Sequence, residues 1–180
     1  DRAEFRVQDL FATDLSQASV ITMYLLPEVN LKLKPALRAL KPGTRIVSHD
    51  WDLGDWRPDR TSVVPVPDKK VGLEKSSRIH LWVVPARVDG LWCAPGGAGG
   101  GRLDLKQQYQ QVQARLVRNG RASEGSGSVN GSLLRLQVGG ERGMQLQAVG
   151  DTLRVAGNTA DPALDGAVLF TRARGDRCGL

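Results

Sequence analysis

The sequence predicts an α/β sheet over residues 1–77 and an antiparallel all-β meander or small barrel over residues 78–180, so that the chain is β-rich overall. Three observations lead there. The stretch "ASVITMYLL" (18–26) is a continuous, β-rich apolar run, which is how a strand covered on both faces of a parallel sheet reads. Helical spacing follows it, and then a second apolar run, "TRIVSHDW" (44–51), which is the order of a β–α–β crossover. Beyond about residue 61 helical periodicity almost vanishes, and short alternating segments are separated by Gly, Asn and Asp.

The elements follow in chain order. "EFRVQ" (4–8) reads as a short strand, and "TDLSQ" (13–17) as a turn or short helical segment. Pro27 stops the apolar run. In "PEVNLKLKPALRAL" (27–40), Val29, Leu33, Leu37 and Leu40 share one helical face. Pro35 lies inside that pattern and should split or kink the helix, or start a second one, because it lacks an N–H and clashes with the preceding turn. "KPG" (41–43) is a stop and turn. "RPDRTSVVPVPDKKVG" (57–72) is Pro-broken and extended, and "SSRIHLWVVPARV" (76–88) reads as a long strand. "GGAGGG" (96–101) reads as a flexible loop, since it lacks the Lys and Ser/Thr of a phosphate-cradling loop. "QQYQQVQARLVRN", "GSVNGSLLRLQVGG", "MQLQAV", "DTLRVAG" and "GAVLFTRAR" alternate as half-wet strands do. "SEGSGS" (123–128) reads as a hairpin tip or a mobile loop.

Composition narrows the function classes. The chain has 180 residues and a formal net charge of +6. Its Lys and Arg are scattered rather than clustered, so the charge reads as a basic surface and not as a nucleic-acid footprint. No apolar run reaches the roughly 20 residues of a membrane span. Cys93 and Cys178 have no metal-ligand spacing. They read as two independent thiols, a disulfide between them requiring an oxidising compartment. His49 and His80 lie in strand contexts with no ligand partner at metal-site spacing. The opening "DRAEFRVQDLF" carries no Met and no signal peptide, and reads as starting inside a larger protein.

The residues that invite chemistry cluster early. His49, Asp50, Trp51, Asp52, Asp55 and Trp56 crowd together just past a strand, where ligands of open α/β sheets bind. Asp9, Leu10 and Phe11 follow another strand candidate, and Tyr24 ends the apolar run. Glu28 and Asn30 open the helix, where an acidic residue is also ordinary dipole complementarity.

"FRVQDLF" (5–11), "ITMYLLPEVN" (21–30) and "LKPGTRIVSHDW" (40–51), in that order and spacing, resemble the second half of a class I S-adenosylmethionine-dependent methyltransferase. The wording of residues 24–59 is similar to that of a bacterial subgroup linked to protein-lysine methyltransferases. The resemblance implies a partial Rossmann-like sheet, S-adenosylmethionine as cofactor, and methyl transfer to an acceptor such as a protein lysine or a small molecule. It implies that Asp9 accepts from the adenine amino group while Leu10 and Phe11 flank the ring. It places Tyr24 beside the transferred methyl, with His49 and Asp50 as catalytic candidates. Glu28, Asn30, Trp51, Asp52 and Trp56 would shape the acceptor site. The acidic, Gly-rich loop that holds the methionine part of the cofactor in that family is absent from this sequence, as is the acidic residue that ends the next strand. The expectation is therefore a truncated methyltransferase, inactive as it stands, with an appended β-rich domain. A homodimer would cover its open sheet edge. The competing reading is a non-catalytic β-rich binding or oligomerisation module carrying a methyltransferase remnant. A nucleic-acid partner is not expected, and the compartment is left open between cytoplasm and periplasm.

Overall fold

The computed structural model describes residues 3–70, 74–94, 101–139, 143–156 and 168–178. The chain divides into two compact units, Asp1–Val84 and Pro85–Leu180.

The first unit contains strands β1 (Val20–Met23), β2 (Arg45–His49), β3 (Arg60–Pro65) and β4 (Ser76–Val83), and helix α1 (Pro27–Arg38). They form a four-stranded sheet of order β1-β2-β4-β3. Strands β1 and β2 are parallel, with Val20 opposite Arg45 and Met23 opposite Ser48. Strand β4 is antiparallel to both β2 and β3. The expected α/β, Rossmann-like sheet is thus corrected. Among the described residues there is one α-helix and one β–α–β crossover, and every other strand pairing is antiparallel. The physical reason is that helical periodicity extends over residues 27–40 alone, so a single crossover can be built. The β-rich part of the expectation agrees with the structure.

Three local readings also change. Residues 4–8 form no strand and are exposed. Strand β1 is not covered on both faces: it lies at the sheet edge, with Val20 and Thr22 exposed and Met23 buried. Helix α1 runs through Pro35 without splitting, because Leu33 before it and Leu37 after it are both buried on the same packed face. Pro27 starts the helix, where its missing N–H costs nothing, and Arg38 sits in the last turn, where its charge suits the dipole. The core of this unit holds Leu37, Ile46, Leu53, Trp56 and Trp82, all fully buried. The Trp82 indole Nε1 donates to the Trp56 carbonyl at 2.8 Å, which satisfies a polar atom that burial would otherwise strand.

The second unit is a closed barrel of eight antiparallel strands. These are β5 (Gly90–Cys93), β6 (Arg102–Gln108), β7 (Gln111–Arg118), β8 (Arg121–Asn130), β9 (Leu133–Val138), β10 (Met144–Val149), β11 (Thr152–Val155) and β12 (Val168–Arg172). Each pairs with the next, and β12 returns to β5 with Thr171 opposite Cys93, which leaves no edge. Alternate residues point inward, so Trp92, Leu103, Leu105, Val112, Ala114, Leu134, Leu136, Leu146, Leu153 and Phe170 build one cluster.

The "SEGSGS" stretch is neither a tip nor a loop but the middle of β8. A Cβ on Gly125 would lie 2.0 Å from the Gln137 carbonyl oxygen, and one on Gly127 would lie 1.9 Å from that of Arg135. At these two positions β8 lies too close to the β9 backbone for any side chain, and glycine is the residue that allows it. The "GGAGGG" loop falls largely outside the described residues; Gly101, just before β6, is described and buried. The reading of two independent thiols is also overturned: Cys93 and Cys178 form a disulfide, with Cα atoms 5.6 Å apart. Cys93 ends β5 and Cys178 follows β12, so barrel closure brings them together.

One end of the barrel is shut by the segment Ala86–Asp89. Gln107 Nε2 donates to the carbonyls of Ala86 and Tyr109, and Gln107 Oε1 accepts from Val88 N. The Trp92 indole donates to the Val88 carbonyl at 2.8 Å. The Arg172 guanidinium lies 4.2 Å over the Trp92 ring and donates to the carbonyls of Arg87 and Asp89.

Candidate active site

The carboxyl ends of β1 and β2 lie side by side because the two strands are parallel. That register brings Tyr24 and His49 together. Their rings meet edge to face, with centroids 4.4 Å apart and planes at 77°. Tyr24 is exposed, and His49 is half-buried. Beside them is a cavity of about 340 Å³, whose lining includes Tyr24, His49, Val64, Lys69, Ser77 and Ile79. Tyr24, just past β1, and His49, at the end of β2, supply its aromatic wall, and β3, β4 and the connection between them supply the remainder.

Asp50 follows β2 with a left-handed φ of 64°, a conformation Asp tolerates better than most residues. Its carboxylate is fully engaged. Oδ1 accepts from Arg78 N at 2.8 Å, and Oδ2 accepts from Lys69 Nζ at 2.7 Å. Lys69 Nζ also donates to the Ser76 carbonyl. His49 Nδ1 stands 3.9 Å from Asp50 Oδ2. Burial disfavours charge on Asp50, but the hydrogen bonds from Lys69 Nζ and Arg78 N–H, with the Lys69 charge, outweigh it and hold the carboxyl below its ordinary value. Asp50 thereby clamps the end of β2 to β4 and to Lys69.

Asn30 performs a second tie. It is fully buried at the start of α1. Its Nδ2 donates to Ser48 Oγ, to the Trp51 carbonyl and to the Asp52 carbonyl at 3.1–3.3 Å. Its Oδ1 is buried and accepts no hydrogen bond among the described residues. The helix start thus holds the loop after β2. Asp52 Oδ1 accepts from Gly54 N and shapes that loop further. Trp51 is half-exposed, whereas Trp56 is fully buried in the core. Glu28 is exposed in the first turn of α1.

Asp9, Leu10 and Phe11 lie apart from that cavity's lining. Asp9 caps a short 3-10 turn, Leu10–Ala12, its Oδ1 accepting from Phe11 N at 2.8 Å. Leu10 is half-buried. Phe11 is 47% exposed, and Lys32 Nζ sits 4.2 Å from its ring centroid, which sets it beside α1. Among the sequence candidates, then, Tyr24, His49 and Asp50 are brought together, and Asn30, Trp51 and Asp52 brace them. Lys69, Val64 and Ile79 were missed. They come from a Pro-broken stretch and from a strand 20 or more residues downstream of His49, and no local pattern marks them.

The N-terminal residues match known proteins. Residues 1–60 match the ANTKMT methyltransferase domain family. A protein-lysine N-methyltransferase of Saccharolobus islandicus (strain REY15A) is 39% identical over 84 residues, which is 46% of this chain and 48% of that protein. The chain therefore spans about half the length of the curated relative it matches. A crystal structure of an RNA methyltransferase from Salinibacter ruber in complex with S-adenosyl-L-homocysteine shares 47% identity. That match covers 47% of this chain and 49% of the other, with a TM-score of 0.38. Residues 1–60 of this chain are thus similar to part of a methyltransferase domain.

Proposed function

We propose that the chain is part of an S-adenosylmethionine-dependent methyltransferase whose acceptor is an amine, a protein lysine in the first instance. The observation that carries the reading is the meeting of Tyr24 and His49 at the ends of two parallel strands, within the matched residues and beside an open cavity. The name of the Saccharolobus relative supports a lysine acceptor. When bound, the cofactor supplies an electrophilic methyl group on sulfur.

The residues present fit such a group in part. Asp9 spends Oδ1 on its own cap and keeps Oδ2 to accept from an adenine amino group. Phe11, with one face exposed, and Leu10 would flank the ring. Tyr24 marks the methyl side. β1 lies at the sheet edge with Val20 exposed, and we propose that the half of the domain found in the relatives but outside this chain covers that edge and completes the cofactor site. Methyl transfer depends mainly on aligning donor and acceptor. Tyr24, Val64 and Ile79 would seat the methylene stem of a lysine. His49 is placed to take the amine proton, at Nε2, since Nδ1 is the nitrogen near Asp50. Asp50 has both oxygens occupied and acts as a positioning residue. Glu28, Trp51 and Asp52 would line the approach from the loop side, with Asn30 and the buried Trp56 holding that loop from beneath.

The test is calorimetric titration of S-adenosylhomocysteine into this chain joined to the remainder of the domain found in its relatives. Saturable binding that falls about tenfold in Asp9→Ala, a loss of about 1.4 kcal/mol, supports the reading. Transfer of isotope-labelled methyl to a lysine-rich protein, reduced in His49→Gln, identifies the acceptor class. Absence of saturable binding to that completed domain overturns the reading.

A further inference from the structure

We propose that Asn119 is a site of spontaneous covalent modification, at which the side-chain amide is lost through a cyclic imide formed with Gly120. The site lies in the second unit and is independent of the methyl-transfer reading.

The dipeptide Asn–Gly occurs twice in the chain, at 119–120 and at 130–131. Gly lacks the side chain that would hinder attack by its own backbone nitrogen, so by sequence both pairs are open to the reaction. In it, the Gly amide nitrogen bonds to the Asn Cγ. The bond from Cγ to the side-chain nitrogen breaks, and ammonia leaves with the proton of the Gly nitrogen. Water then opens the ring. Opening at Cγ gives aspartate, and opening at the main-chain carbonyl gives isoaspartate, whose backbone runs through Cβ and Cγ. The nitrogen reaches Cγ only when the Asn–Gly peptide plane turns, so the cost of turning that plane decides which pair reacts.

The two planes are held differently. Val129 N donates to the Gln110 carbonyl, and hydrogen-bonded pairs alternate along an antiparallel ladder, so Arg118 and Arg121 are the hydrogen-bonded pair that closes the β7–β8 hairpin. Asn119–Gly120 is then the central peptide of a two-residue turn, with φ of 51° and 74°, and its own C=O and N–H lie outside the closing pair. Flipping that plane converts a type I′ turn into a type II′ turn and takes Asn119 ψ to about −120°, the angle at which the Gly120 nitrogen faces Cγ, while the closing bonds stay intact. Arg118, Asn119, Gly120 and Arg121 are all exposed, and a Cβ on Gly120 would meet nothing within 4 Å. Asn130 is placed otherwise. Gly139 N donates to the Glu124 carbonyl, so by the same alternation Asn130 and Leu133 are the closing pair of the β8–β9 hairpin. Turning the Asn130–Gly131 plane withdraws the Asn130 carbonyl from that pair. It also drags Gly131, whose carbonyl accepts from Ala86 N at 2.7 Å, and Ser132, whose carbonyl accepts from Ala148 N at 2.8 Å. The fold therefore separates two pairs that the sequence makes alike. The aspartate product places a negative charge in the turn that joins Arg118 to Arg121, two like charges set opposite one another. The isoaspartate product lengthens the backbone and no longer fits a two-residue turn.

The experiment incubates the full chain in mildly alkaline buffer, folded and in parallel unfolded in guanidinium chloride, and maps its peptides by mass spectrometry. In the folded chain, amide loss at Asn119 is expected to run at least about tenfold faster than at Asn130, the factor that about 1.4 kcal/mol makes in a rate. In denaturant the two rates should converge, because both sites are then plain Asn–Gly. Hydroxylamine, which cuts a chain at the imide, should cleave the folded protein after Asn119 and the unfolded protein after both. Gly120→Ala should slow the reaction at Asn119 and leave Asn130 unchanged, with a cooperative melting curve confirming a folded barrel. Three results overturn the proposal: no amide loss at Asn119 in the folded chain over the time in which the unfolded chain reacts fully, loss at Asn130 as fast as at Asn119, or a rate gap that persists in denaturant.

Discussion

Asp50 shows how one residue can look catalytic in sequence and be structural in space. Its position past β2, next to His49, is what draws attention to it. Its two oxygens are instead spent on Arg78 N–H and Lys69 Nζ. Lys69 is 19 residues further along, in a stretch with no pattern, so this bond was not legible. The sign of its pH dependence follows from its lowered pKa. A carboxyl held below its unfolded value of 3.8 adds stability above that value, and the contribution is lost as pH falls through the folded pKa. Asp50→Asn tolerates the same backbone conformation but removes the charge. It should destabilise the first unit by about 1–3 kcal/mol at pH 7, since hydrogen bonds to a charged group are being weakened. Urea melts at pH 7 and at pH 2.5 check this: the gap between variant and wild type should shrink at the lower pH. Asn30 is the opposite case. It was singled out as a substrate contact, and it is a fully buried tie between α1 and the β2 loop. Asn30→Ala should leave the Trp51 and Asp52 carbonyls without a donor, at a cost of about 1–3 kcal/mol. Faster hydrogen exchange across residues 48–54 would be the accompanying sign.

Helix α1 and strand β2 were readable because each carries its period within a dozen residues. The barrel strands were readable for the same reason, since alternation marks a half-wet strand wherever it lies. Strand β8 was not. Its "EGSGS" composition is that of a loop, and only the close approach of the Gln137 and Arg135 carbonyls shows why small residues sit there. Gly127→Ala should therefore do more than fill space, because its methyl has no room beside backbone. A loss well beyond the 1–3 kcal/mol of ordinary overpacking is expected, read as a lowered melting temperature of the barrel. The disulfide was likewise invisible locally. Its half-cystines are 85 residues apart and meet only because β5 and β12 are neighbours. The chain-entropy account assigns such a loop about 4–5 kcal/mol. Melts with and without dithiothreitol should differ by that order, and Cys178→Ser should reproduce the reduced protein.

At the scale of the molecule, the two units have separate cores and unrelated topologies, one a short mixed sheet and the other a closed barrel. Two thermal transitions are expected by calorimetry. Asp50→Asn should move one, and reduction of Cys93–Cys178 the other; a single transition shifted by both would contradict independent cores. The sequence correctly placed β-rich structure after the crossover, but it overstated the α/β character of what comes before. That error came from reading the parallel pair as the rule, when β3 and β4 are antiparallel and the apolar run of β1 faces an open edge. The closing seam of the barrel has a consequence for biosynthesis. β5 is made first among the eight strands and β12 last, yet they are hydrogen-bonded neighbours. During vectorial synthesis every strand from β6 to β11 can zip onto its predecessor as it emerges, but the outer flank of β5 stays bare until residue 172 has left the ribosome. The barrel therefore cannot close until β12 has emerged, and until then β5 carries an unpaired, association-prone flank.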